Sequence, residues 1–247
     1  MFLAGEQEGA AADHVMKQFG TLAIFVLFSI GGLNAGGLCS FMQGDYVAAQ
    51  EEWLVAAGQG DADAEYHLGM MHRAGQGLPV SDTEAAYWFE RAALRGHLLA
   101  CYHLGLMFQE GRGVPQNDFQ AARWLELAAE DGHAKAQYLI GTFYDLGRGV
   151  PQDRSAAIRW WRLSADQGER PPLLALGRVY EEGRGVPQDS VQALAWYRRA
   201  VNRGSSTGLA KSEAVARKMS AKRVELATEL SRDGEPVRKP GPSTSRR

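Results

Sequence analysis

Cysteine is nearly absent: only Cys39 and Cys101 occur among 247 residues. Two thiols cannot build a disulfide framework or a four-ligand zinc site. No charge of one sign dominates, with 27 Lys and Arg against 29 Asp and Glu, so nothing draws the chain to nucleic acid as a whole. The apolar run Leu22 to Ile30 falls short of the about 20 residues that a membrane-spanning helix needs. There is no Ser/His/Asp order to mark a serine hydrolase. The histidines have no carboxylate at His-x-x-Glu spacing, and the acidic residues form no recurrent pair. Neither a metal hydrolase nor a glycosidase has positive support. No catalytic, cofactor-binding or metal-binding residue is assigned, and no enzyme activity is expected.

Glycine is plentiful and ordered. The turn Gly75-Gln76-Gly77-Leu78-Pro79 returns as Gly111 to Pro115, Gly147 to Pro151 and Gly183 to Pro187, at a constant interval of 36 residues. A fixed period of this length signals stacked copies of one supersecondary unit. The glycines accept the left-handed backbone that ends a helix, and the proline blocks its continuation. The turn is not a phosphate loop: no Lys-Ser/Thr follows it, no strand precedes it, and it occurs four times.

Between the turns, apolar residues recur at spacings of three and four, which predicts two helices per copy. In the second copy helix A runs from about Leu98 to Gln109 and helix B from about Asp118 to Glu130. A lead-in helix is expected over Asp45 to Ala57, because Trp53, Ala56 and Ala57 align with Phe89, Ala92 and Ala93 one period later. Helix B starts with a capping side chain in each copy: Ser81, Asn117, Asp153, Asp189. Three columns repeat in kind: Gly69, Gly105, Gly141 and Gly177; Ala85, Ala121, Ala157 and Ala193; Trp88, Trp124, Trp160 and Trp196. Small residues allow helices to approach closely and tryptophan fills the space between layers, so these columns read as core and not as a ligand-stacking ladder. His72 replaces Phe108, Tyr144 and Tyr180 in an aromatic column and reads as packed. His97 and His133 read as turn residues, and Cys101 as a partly buried thiol.

The ends differ from the repeats. Met16-Lys17 precedes the apolar run, and the small residues Gly31 to Gly37 follow it. Residues 1–35 therefore read as a signal-peptide region cut after Ala35, with Met16 as the natural initiator and residues 1–15 as a mis-annotated start. Cleavage would leave no stable transmembrane segment; a retained anchor is the alternative. Cys39 has Leu38 where lipidation requires a small residue. The repeats cover 45–204, polar-faced capping helices 205–233, and a basic tail expected to be disordered covers 234–247.

The pattern Ala-x-x-x-Leu-Gly-x-x-(aromatic)-x-x-Gly-x-Gly-Val-Pro-x-Asp-x-x-x-Ala-x-x-Trp, cleanest from Ala136 to Trp160, resembles the Sel-1-like repeat family, a tetratricopeptide-like class of helical hairpins. Four consecutive 36-residue copies carry the resemblance. It implies an all-α fold, a right-handed superhelical α-solenoid of antiparallel helix pairs, in which helix A lines the concave surface. It also implies a non-enzymatic scaffold; with the signal region, the chain is expected to be exported to the periplasm or secreted from a bacterial envelope, and it is expected to be monomeric. An envelope hydrolase or β-lactam-binding (penicillin-binding) protein is the contrasting class, but relatives linked to that activity carry paired cysteines in each repeat. A secreted effector would share the groove and differ in destination.

The helix A face that the scaffold leaves open supplies the candidate site. Spacings of 0, 4, 7 and 11 put Asp63, His67, Met70 and Ala74 on one side. The following copies present Leu99, His103, Leu106 and Glu110, then Lys135, Leu139, Thr142 and Leu146, then Pro171, Ala175, Arg178 and Glu182. A solvated face would carry mostly charge. An apolar strip rimmed by Asp63, Glu110, Lys135 and Arg178 suits a peptide or partner protein. The competing reading is that the leucines pack between neighbouring A helices.

Overall fold

The computed structural model describes residues 34–232, and among these twelve α-helices and no strand. The signal region, the proposed start and the basic tail lie outside the described residues, apart from the first two residues of α1. The chain divides into two compact units, Met1–Gln116 and Asn117–Arg247. The first holds α1 (Asn34–Met42), α2 (Tyr46–Gly58), α3 (Ala62–Ala74), α4 (Asp82–Leu94) and α5 (Leu98–Glu110). The second holds α6 (Asp118–Glu130), α7 (Ala134–Leu146), α8 (Arg154–Asp166), α9 (Arg170–Glu182), α10 (Ser190–Asn202), α11 (Ser206–Ala216) and α12 (Ala221–Leu230). Helices α3, α5, α7 and α9 are the A helices; α4, α6, α8 and α10 are the B helices. Within each unit successive helices pack on one another, α3 on α4, α7 on α8 and α9 on α10. The fold is an all-α repeat solenoid.

Local rules explain the punctuation. Gly75, Gly111, Gly147 and Gly183 each close an A helix in the left-handed conformation, with φ between 68° and 70°. The second glycine of the turn answers a different need. A Cβ on Gly113 or Gly149 would overlap the carbonyl of Asp82 or Asp118 in the preceding B helix. Ser81, Asn117, Asp153 and Asp189 all cap B helices by accepting a backbone N–H with the side chain. Asp61 caps α3 in the same way.

His97 and His133 are more than turn residues. They are the N-caps of α5 and α7, and their Nδ1 atoms accept the N–H of Ala100 and Ala136 at 3.2 and 3.1 Å. Imidazole is not among the usual N-cap groups, which is why the sequence pattern passed over it. Glu169 opens α9 without a side-chain bond, and Pro171 occupies the first turn, where no donor is required.

The alanine column is buried in every copy, and so are Trp124 and Trp196, but elsewhere the packed residue lies one position from the conspicuous one. Trp88 and Trp160 are only half-buried, whereas Phe89 and Trp161, one residue later, are buried. On helix A, His72 and Tyr144 are half-buried while Met71 and Phe143 are buried. At Gly69, Gly141 and Gly177 the glycine makes room for a ring. A Cβ on Gly69 would come within 2.7 Å of the Phe89 ring, and one on Gly141 within 2.7 Å of Trp161. Gly177 receives Tyr197 in the same way.

Helix α1 falls in a stretch where the sequence pattern indicated none. Leu38 and Phe41 pack against the core around Trp53, and a Cβ on Gly37 would overlap the Trp53 indole. Notch and ring are sixteen residues apart here and twenty apart at Gly69 and Phe89. The connection between α1 and α2 is only Gln43-Gly44-Asp45, four residues shorter than the turn between α3 and α4. That deletion shifts the phase and hides α1 from a 36-residue comparison.

Candidate functional site

In the first unit the open face of α3 and α5 is filled with rings. His67 stacks on Trp53 at 4.6 Å between centroids. Tyr66 stacks on His97 at 4.4 Å and lies 5.9 Å from His103, and His103 lies 5.3 Å from Phe89. The Arg73 guanidinium donates to His103 Nδ1 at 2.7 Å. Because His97 Nδ1 accepts the cap bond, its proton sits on Nε2, which faces Asp63 Oδ1 at 3.3 Å. Burial pulls the pKa values of His67 and His97 below the ordinary imidazole value, and Asp63 and Asp61 oppose this only in part. His72 is lowered too, chiefly by burial. These histidines are therefore neutral near pH 7, and His67 and His97 take part in the stacked wall.

The remaining first-unit candidates are placed less tightly. Leu99 is exposed, Met70 and Leu106 are half-buried, and Glu110 is exposed with Arg112 at 3.7 Å. The structure thus brings Asp63 to His97, and His103 to Arg73 and Tyr66. His97, Tyr66 and Arg73 were not among the sequence candidates.

In the second unit the corresponding face opens into a cleft of about 470 Å³ between α7 and α9. Thr142 and Leu146 of α7 and Arg178 of α9 line it together, while Lys135 and Leu139 are not part of the lining. Trp161 lies at its floor with Leu174 and Val179, and Asp145 and Arg184 are on its margin. The floor is apolar because its polar atoms are already used. Trp161 Nε1 donates to the Tyr138 carbonyl at 3.1 Å, and the Thr142 hydroxyl donates to the same carbonyl at 3.0 Å. Leu146 is 56% exposed. It is not packing between A helices, whereas Leu139 is half-buried.

The origin of the cleft is legible two repeats back. Tyr138, Trp161 and Ala175 stand where Tyr66, Phe89 and His103 stand in the first unit. The His103 ring touches both of its companions there; Ala175 offers only a methyl group, and the volume is left open. Helical spacing places Ala175 on this face. A column that runs His67, His103, Leu139, Ala175 signals a hole at its smallest member. Tyr138, Asp145, Trp161, Leu174 and Arg184 were missed because their aim depends on how α7, α8 and α9 pack.

Chemically, the cleft offers apolar surface, one carboxylate and guanidinium groups. Among the described residues no group of three or more His, Cys, Asp or Glu could hold a metal ion, and no helix is long and apolar enough to cross a membrane. Cys101 is fully buried, with its thiol 3.9 Å from the Ala93 carbonyl. It offers no accessible nucleophile.

The sequence profile of the Sel1 repeat matches residues 62–97, 98–133, 134–169 and 173–205, more than half of the chain. In three dimensions the chain is similar to a Sel1 repeat protein from Oxalobacter formigenes, with TM-score 0.70 and 25% identity over 80% of this chain and 84% of that one. It is also similar to a protective antigen present in uropathogenic Escherichia coli strains and displaying an SLR fold, with TM-score 0.72 and 28% identity. That match covers 85% of this chain and 48% of the antigen, so this chain spans about half of its length. No curated protein sequence matches the chain. Sel1 repeat proteins commonly mediate protein–protein interaction, and the fold is typically a non-catalytic scaffold.

Proposed function

This chain belongs to the Sel1 repeat family, and from that premise we infer that it is a non-enzymatic adaptor holding a peptide segment of a partner protein against its helix A face. The observation that carries this reading is the cleft between α7 and α9, with Leu146 exposed beside an apolar floor. Its volume falls in the range of about 300–1,000 Å³ usual for ligand sites. Binding there rests on shape complementarity and apolar burial, with the marginal charges setting register.

Site-directed photocrosslinking tests the assignment. Leu146 on α7 and Leu163 on α8 are both exposed, at 56% and 49%, but only Leu146 lines the cleft. A photoreactive residue at 146 is expected to give a discrete adduct with a partner protein and one at 163 is not. Equal labelling from both positions, or labelling from 163 alone, would remove the helix A face as the binding surface.

The same reading makes the adaptor an exported protein whose signal is removed after Ala35. Such a cut leaves Gly37, Leu38 and Phe41 in place against Trp53, so the mature chain keeps that packing. N-terminal sequencing of protein from the envelope fraction decides it: a chain beginning at Gly36 is expected, and an intact N-terminus or a cytoplasmic pool would overturn it.

A further inference from the structure

We propose that the second-unit cleft is built for an acidic–apolar peptide, a segment that carries apolar side chains beside a carboxylate. The proposal deepens the adaptor reading and rests on it. It starts from the place where the repeat breaks its own rule. At the first helical position of helix B, the first two copies carry Asp82 and Asp118. Each is gripped in fork fashion by the turn arginine thirty residues on, Arg112 and Arg148. The third copy has Arg154 in that position. Arg184, the turn arginine that would have met an aspartate there, instead donates to both oxygens of Asp145 at 3.2 Å.

This exchange assembles a row of charges, three of which, Asp145, Arg184 and Arg178, belong to the cleft lining. Arg154 Nε lies 3.8 Å from Asp145, Arg184 lies 3.7 Å from Glu182, and Glu182 takes Arg178 Nε at 2.8 Å. Three guanidiniums alternate with two carboxylates, and both ends of the row are positive. Glu181 does not supply the missing negative charge, since it is engaged by the Tyr197 hydroxyl at 2.7 Å and by Lys211 at 3.7 Å.

Arg178 ends the row inside the cleft lining, with 62% of its side chain exposed. Glu182 occupies its Nε, and the guanidinium keeps its two terminal amino groups as further donors in the cleft lining. Such a pair matches a carboxylate in bidentate geometry. A basic segment would add to the positive surplus and be repelled, whereas an acidic one completes the alternation. The floor imposes the second requirement. With the Trp161 N–H committed to Tyr138, the surface of Trp161, Leu174 and Val179 offers no hydrogen bond and rewards apolar side chains. The occupant lays apolar groups on this floor and a carboxylate at Arg178.

A short fluorescein-labelled peptide with two leucines beside two glutamates is the probe, and versions with glutamine or lysine in place of glutamate are the comparison. Each is titrated with the full chain and read by fluorescence anisotropy. The glutamate peptide is expected to bind about tenfold more tightly than the lysine peptide, with glutamine between them. Arg178→Glu reverses that order, and added salt narrows the gap. Equal affinity for all three peptides, lost on Leu146→Glu, would overturn the acidic preference and leave the groove adaptor standing. Binding of none of them, or binding that ignores Leu146→Glu, would overturn both. Arg178 and Leu146 are exposed, so circular dichroism of both variants is expected to match the parent chain.

Discussion

His103 in the first unit and Ala175 in the second occupy one position of the repeat, 72 residues apart, and they set the character of the two helix A faces. The imidazole stacks between Tyr66 and Phe89 and takes a bond from Arg73. The methyl group leaves Tyr138 and Trp161 bordering an open cleft. A second position tells a similar story. In the first unit Glu65 is wholly buried and held by Arg91 at 2.7 Å and Arg95 at 3.2 Å. Two repeats later the same three places hold Gln137, Leu163 and Gln167. The contact survives there as an amide pair, with Gln167 Nε2 donating to Gln137 Oε1 at 2.9 Å. The scaffold therefore tolerates exchange of ions for amides and of rings for methyl groups at these positions.

The largest expected effect tests what the two faces share. Phe89 and Trp161 both fill a glycine notch, so Phe89→Ala and Trp161→Ala should each destabilise by about 3–5 kcal/mol in urea unfolding. A far smaller loss for Trp161 would mean that its ring belongs to the cleft and not to the core. Next comes the ionic difference. Arg91→Met leaves the buried Glu65 with a single partner and should cost about 3 kcal/mol. Leu163→Met, at the matching exposed position, should cost less than about 0.5 kcal/mol. Equal losses would erase the contrast.

Exchanging the two key residues comes third. His103→Ala empties a ring from the first unit and should cost about 1–3 kcal/mol. Ala175→His should close the second-unit cleft and abolish crosslinking from position 146 while the helices persist. Continued crosslinking would show that position 175 does not control the cleft.

The smallest effect is one of pH. His67, His72 and His97 in the first unit, and His133 in the second, all have pKa values lowered chiefly by burial. The folded chain holds them neutral, and the unfolded chain protonates them near pH 6.5. Their contribution is complete above that pH and is lost as the pH falls through it toward the folded values. Thermal melts should therefore shift downward between pH 7.5 and 5.5. His97→Asn keeps an N-cap while removing one titrating ring, so it should reduce the shift; an unchanged shift would exclude His97 as a contributor. His97→Ala should cost about 1 kcal/mol at pH 7.5 through loss of the cap, and less at pH 5.5, where removing the titrating ring offsets part of that loss.

The sequence by itself determined the period, the helix pairs, the glycine–proline turns and the aspartate, asparagine and serine caps. Each depends on atoms within a few residues: a positive φ, a missing N–H, an oxygen that reaches the third amide along. It also placed Thr142, Leu146 and Arg178 on one open face, because helical spacing alone does that. The tertiary structure decided the rest. Which neighbouring residue, Trp160 or Trp161, turns inward depends on the angle at which α8 meets α7. The partners of Glu65 lie 26 and 30 residues away, across helices whose contact no local pattern encodes. The cleft exists because a small side chain at Ala175 happens to face the place that a ring fills two repeats earlier. Packing converts the size of a side chain into either a filled core or an open site only when its neighbours are in place.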